Sequence, residues 1–76
     1  MYEQLKQILE RKFQVPTEDI EPEATLDDLG LDSLDLVEFA LVIEKEIGVR
    51  VSDDDLVQAG QLKSVVDLIM SRGATV

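Results

Sequence analysis

Gly30-Leu31-Asp32-Ser33-Leu34-Asp35-Leu36-Val37-Glu38-Phe39-Ala40-Leu41-Val42-Ile43-Glu44-Lys45-Glu46-Ile47-Gly48 is the stretch that decides the fold. It predicts a helix that begins near Asp32 or Ser33 and runs to about Ile47, with Gly48 suited to the C-terminal cap. At about 100° per residue, Leu36, Phe39, Ala40, Ile43 and Ile47 gather on one side, a stripe wide enough to face a core. Leu34, Val37 and Leu41 gather nearly opposite, bordered by Asp35, Glu38 and Glu44. A helix packed on one side only has no need of this second ridge. Either the helix is buried on several sides, or the ridge is a docking surface with an apolar centre and an acidic rim. The carboxylates favour docking, because unpaired buried charges are costly.

Working outward, a first helix is expected from about Tyr2 to Gln14, where Leu5, Ile8, Leu9 and Phe13 share a face. Val15-Pro16 stops it, since a residue before proline is pushed away from helical geometry. A long connection follows from Val15 to Asp32, with Ile20, Leu26, Leu29 and Leu31 expected to pin it to the core. Long loops in small domains are often functional, and this one delivers the chain to Ser33. Val49 and Val51 alternate with Arg50 as an extended connector. Ser52 then reads as the N-cap of a short helix opened by Asp53, Asp54 and Asp55 and closed by Gly60. A last helix, about Leu62 to Arg72, puts Leu62, Val65, Val66 and Ile69 on one face; Gly73 ends it and the tail should fray. The expected architecture is an all-α four-helix bundle: three longer helices, one short third helix, and a long loop between the first two. One domain spanning residues 1–76 accounts for it.

Composition narrows the function. Seven basic residues against seventeen acidic ones give a formal charge of −10, which argues against nucleic acid, whose affinity comes from neutralised phosphates. Such a chain favours basic patches on other proteins, although acidity also serves plain solubility. No long apolar run offers a membrane span. The start, Met1-Tyr2-Glu3-Gln4, lacks a basic-then-apolar secretory pattern, so a cytoplasmic location is expected. Without cysteine, disulfides and thiolate metal sites are excluded. Asp27, Asp28, Asp32 and Asp53 to Asp55 raise calcium binding, but the ordered spacing of an EF-hand loop is missing, and no metal site is expected.

Ser33 sits where the loop turns into the helix. A nucleophilic serine needs a base, usually histidine, and the chain has no histidine. An enzyme in its own right is therefore not expected. A serine modified by another enzyme needs exposure, a mobile approach and tolerance of a phosphate. A helix N-terminus favours phosphate oxygens through its free N–H groups and dipole. The bland alternative is that Ser33, or Asp32, is simply the helix cap.

Gly30-Leu31-Asp32-Ser33-Leu34-Asp35-Leu36-Val37-Glu38 resembles the prosthetic-group attachment motif of acyl carrier proteins. The resemblance covers nearly the whole chain: its length, acidity, long first loop, short third helix after Ser52, and closing Val66-Asp67-Leu68-Ile69. It implies that Ser33, flanked by Asp32 and Leu34, carries a 4′-phosphopantetheine arm taken from coenzyme A by a phosphopantetheinyl transferase. The thiol arrives with that cofactor, in keeping with a chain that lacks cysteine. The resemblance makes the helix bearing Ser33 the recognition element, which fits Leu34, Asp35, Val37, Glu38, Leu41 and Glu44 as docking residues. It also implies that fatty cargo can be enclosed between helices, with Leu36, Phe39, Ala40, Ile43 and Ala59 as lining. Its implied partners are acyl or malonyl transferases or an acyl ligase, a ketosynthase and other chain-processing enzymes, acting on a monomer. Lys45, Arg50, Leu31, Ala59 and Gln61 depart from fatty-acid-synthesis carriers and leave room for polyketide or lipopeptide assembly. Two other readings are an aminoacyl or peptidyl carrier using the same arm, and an unmodified acidic helical adaptor.

Overall fold

A computed structural model describes residues 1–73. Four helices follow in order: α1 (Tyr2–Lys12), α2 (Ser33–Ile47), α3 (Asp53–Ala59) and α4 (Leu62–Ser71). The three longer helices and the short third one match the expected architecture. The tail expected to fray lies outside the described residues.

Periodicity places the core. Leu5 and Leu9 of α1, Phe39 and Ile43 of α2, Leu56 of α3, and Leu62, Val65 and Ile69 of α4 are fully buried. Phe13 packs edge-to-face on Phe39 with ring centroids 5.7 Å apart, a geometry aromatic pairs prefer. Val49 and Val51 are buried while Arg50 is exposed, as the extended connector requires. No polar side chain is buried among the described residues.

Two boundaries differ from expectation. Helix α1 ends at Lys12, not Gln14. The stop lies upstream of Pro16: Gln14 takes a left-handed φ of 55°, and the N–H groups of Phe13 and Val15 both donate to the Leu9 carbonyl. That reversal turns Val15 into the core. Helix α4 ends at Ser71 with Arg72 as its cap, one residue short of expectation. One buried residue of α2, Val42, was not among those assigned to the core face; it lies beside Ile8 of α1.

The long loop is held by backbone hydrogen bonds as well as by its buried side chains. A short 3₁₀ turn occupies Thr17–Asp19. Beyond it, the N–H groups of Leu62 and Lys63 donate to the carbonyls of Ala24 and Pro22 at 2.9 Å each. These loop carbonyls satisfy the first N–H groups of α4, whose N-cap Gln61 makes no side-chain cap bond. Leu26 N–H donates in turn to the Gly60 carbonyl at 3.2 Å. Ile20, Ala24, Leu26 and Leu31 are buried and Leu29 is partly so, as the pinned loop predicts.

Candidate functional site

The approach to Ser33 is a helical turn with a left-handed exit. Thr25 and Asp28 exchange hydrogen bonds, each side chain accepting from the other's N–H. The turn closes with Gly30 N–H on the Asp27 carbonyl and Leu31 N–H on the Leu26 carbonyl. This is a Schellman arrangement, with Gly30 at φ 79° and a hydrophobic pair, Leu26 and Leu31, buried beneath it. Leu31 therefore anchors the chain two residues before Ser33, and Asp32 emerges into solvent.

Asp32, not Ser33, caps α2. Its Oδ1 accepts from Asp35 N–H at 2.9 Å, and Asp35 Oδ2 accepts from Asp32 N–H at 3.2 Å. This is a reciprocal capping box. Ser33 is then the first helical residue, exposed, and no side-chain hydrogen bond among the described residues involves it. The N–H groups of Ser33 and Leu34 also have no backbone partner there, leaving two donors at the positive end of the helix. The sequence carried a signal for the seat. Three residues after Asp32 stands Asp35, whereas three after Ser33 stands Leu36, which cannot complete a box.

The two faces of α2 separate cleanly. Leu34, Val37 and Leu41 are 78%, 44% and 53% exposed, so the alternative of a helix buried all round is excluded. Asp35 is half-buried, and Glu38 and Glu44 are exposed beside them. Glu44 meets Arg50 at 3.8 Å in a solvent-exposed ion pair, a contact of little energetic weight. Opposite, Leu36, Phe39, Ala40 and Ile43 are buried, and Ala59 is partly buried against the same core.

Of the two grooves described, the smaller, about 450 Å³, borders Ser33. Leu26, Leu31, Leu36, Leu56 and Val57 give it an apolar lining, with Gly60 at its edge. Leu36 is the cavity candidate that lines it; Phe39, Ala40, Ile43 and Ala59 do not. Val57, 61% exposed, was missed, because a seven-residue helix is too short for periodicity to assign its faces. The larger groove, about 1110 Å³, lies between α1 and α2. It brings Arg11, Lys12 and Lys45 together with Glu38, Glu44 and Glu46, does not touch Ser33, and offers no single sign of charge to a ligand.

Three of the six carboxylates that raised calcium are engaged by the chain itself. Asp28 and Asp32 accept backbone N–H groups, and Asp55 is held by Ser52 N–H and Arg72. Among the described residues no group of three His, Cys, Asp or Glu side chains could hold a metal ion. None of their helices is long and apolar enough to cross a membrane.

Known proteins resemble this chain along most of its length. The phosphopantetheine attachment site family matches residues 3–69. An acyl carrier protein of Coprothermobacter proteolyticus is 44% identical over 72 residues, covering 93% of this chain and 88% of that protein. One of Nitratidesulfovibrio vulgaris is 37% identical over 71 residues, covering 92% and 93%. The crystal structure of an acyl carrier protein from Thermotoga maritima superposes with a TM-score of 0.76 at 23% identity, covering 92% of this chain and 82% of that one. That last likeness concerns the fold.

Proposed function

The chain belongs to the acyl carrier protein family, whose prosthetic group is 4′-phosphopantetheine, and from that premise we propose that it is a non-catalytic carrier with its arm on Ser33. The observation that carries this reading is the free, exposed Ser33 hydroxyl beside a cap made by Asp32. The residues fit the group: a phosphodiester on Ser33 would meet the open N–H groups of Ser33 and Leu34, which suit an anion. When bound, the arm supplies a thiol that holds an acyl chain as a thioester.

What this chain's residues do is present and orient. With no histidine in the chain and no hydrogen-bond partner at the Ser33 hydroxyl among the described residues, the hydroxyl proton leaves to a base on the phosphopantetheinyl transferase. Ser33 Oγ would be the atom that takes the arm's phosphorus, with adenosine 3′,5′-bisphosphate leaving from coenzyme A. Leu31, Leu36, Leu56 and Val57 of the neighbouring groove shield the arm or the first carbons of its cargo from water. Phe39, Ala40 and Ile43, buried in the core, and the partly buried Ala59 are the lining that longer cargo would have to part.

Leu34, Val37 and Leu41, with Asp35, Glu38 and Glu44, form the docking face for the transferase, acyl or malonyl transferase or acyl ligase, ketosynthase and other chain-processing enzymes. Burying an apolar side chain of this size is worth roughly 1.5–3 kcal/mol, and the acidic rim steers basic partners. We place the carrier in cytoplasmic fatty-acid, polyketide or lipopeptide biosynthesis. The test is intact mass after incubation with coenzyme A and a broad-specificity transferase. The gain of one phosphopantetheinyl group supports the reading; an unchanged mass returns the protein to an unmodified adaptor.

A further inference from the structure

We infer that Asp32 is a positioning residue for the attachment reaction: by holding the N-cap seat of α2 it keeps Ser33 out of that seat and leaves its hydroxyl unbound. The inference rests on Ser33 as the attachment point. It adds a role for Asp32 that involves no contact with the arm or with coenzyme A.

The chain itself displays what a serine does in the cap seat. At the start of α3, Ser52 Oγ accepts from Asp55 N–H at 3.1 Å, while Asp55 Oδ2 accepts from Ser52 N–H at 2.9 Å. The hydroxyl there is tied to the helix. At the start of α2 the same reciprocal box is built from Asp32 and Asp35, and the serine falls one place further along. Serine and aspartate are near-equal caps and alanine is a poor one. An apolar residue at position 32 therefore hands the seat to Ser33, the next residue able to cap. The helix start slides by one residue. Leu36 N–H, which now donates to the Asp32 carbonyl at 3.0 Å, would be taken by Ser33 Oγ. The nucleophile would then serve the helix.

Two measurements on the full chain test this. The first is a double-mutant cycle in thermal stability, which needs no transferase. Ser33→Ala should leave the midpoint unchanged in the wild-type background, because its hydroxyl makes no bond. In the Asp32→Ala background the same change should lower the midpoint by about 4–8 °C, the shift a lost cap produces in a domain of this size. Equal effects of Ser33→Ala in both backgrounds overturn the inference. The second is the rate of arm transfer from coenzyme A by a broad-specificity phosphopantetheinyl transferase. Asp32→Ala should lower kcat/KM about fivefold, in line with the worth of a cap, whereas Asp32→Asn and Asp32→Ser should stay near wild type. If Asp32→Asn falls as far as Asp32→Ala, the lost charge is what matters, Asp32 acts by contacting the transferase, and the positioning role is wrong. Should the wild type gain no arm at all, it is the attachment reading that fails, and the stability cycle still decides the seat.

Discussion

Two helices of this protein open on the same reciprocal pair and place their serines differently. At α3, Ser52 occupies the cap and its hydroxyl is bonded to Asp55 N–H. The partner Asp55 is further clamped by Arg72, at 2.7 and 3.1 Å, and Arg72 also reaches the Arg50 carbonyl at 3.3 Å. That start ties the end of α4 to the α2–α3 connector. At α2, Asp32 caps, and among the described residues Ser33 is free and nothing comparable clamps the box. The difference teaches that a serine at a helix start is not by itself a site. One residue of register separates a structural hydroxyl from an available one.

The largest effect expected from breaking this contrast is all-or-none. Ser33→Ala should abolish the mass gain from coenzyme A and transferase, while Ser52→Ala retains it in full. A contrast between the two faces of α2 comes next. Phe39→Ala, in the packed interior, should cost about 3–5 kcal/mol in denaturant unfolding. Leu41→Asp, on the exposed ridge, should change stability by no more than about 0.5 kcal/mol yet slow loading by an acyl ligase that accepts the wild type about tenfold. Unfolding of Leu41→Asp would assign the ridge to the core.

Smaller effects sharpen the α3 side. Ser52→Ala should lower stability by about 1 kcal/mol through its lost cap, without altering the rate of arm transfer. The pH dependence is smaller still. The Ser52 backbone N–H, and after it the Arg72 guanidinium, hold the Asp55 carboxyl below its ordinary value. A carboxylate lowered on folding contributes stability that is present above its unfolded pKa and lost as pH falls through the folded one. Acid titration below the usual carboxylate range should thus loosen the α3–α4 corner, and Arg72→Ala should shrink that acid-sensitive part. Arg72→Ala with an unchanged acid profile would leave the clamp without energetic weight.

Much of this was readable from residues alone. The two-sided pattern on α2 gave both the buried stripe and the ridge, because exposure and burial alternate at helical spacing. The short α3 was legible from Ser52, its following aspartates and Gly60. The end of α1 was not, since a left-handed Gln14 carries no compositional mark as glycine would. Nor were the bonds from Pro22 and Ala24 to the start of α4, because backbone carbonyls have no side-chain signature. At the site, two adjacent cap-forming residues left Asp32 and Ser33 undecided until the acid three positions on was weighed. The attachment motif itself was plain, while the groove beside it depends on a loop whose course only tertiary contacts determine.

The most direct measurement is peptide mapping by tandem mass spectrometry of the wild-type protein after transferase treatment. The account predicts one phosphopantetheinyl group, on the peptide containing Ser33 and on that serine. An arm found on Ser52 or on any other hydroxyl would contradict it, and so would its absence.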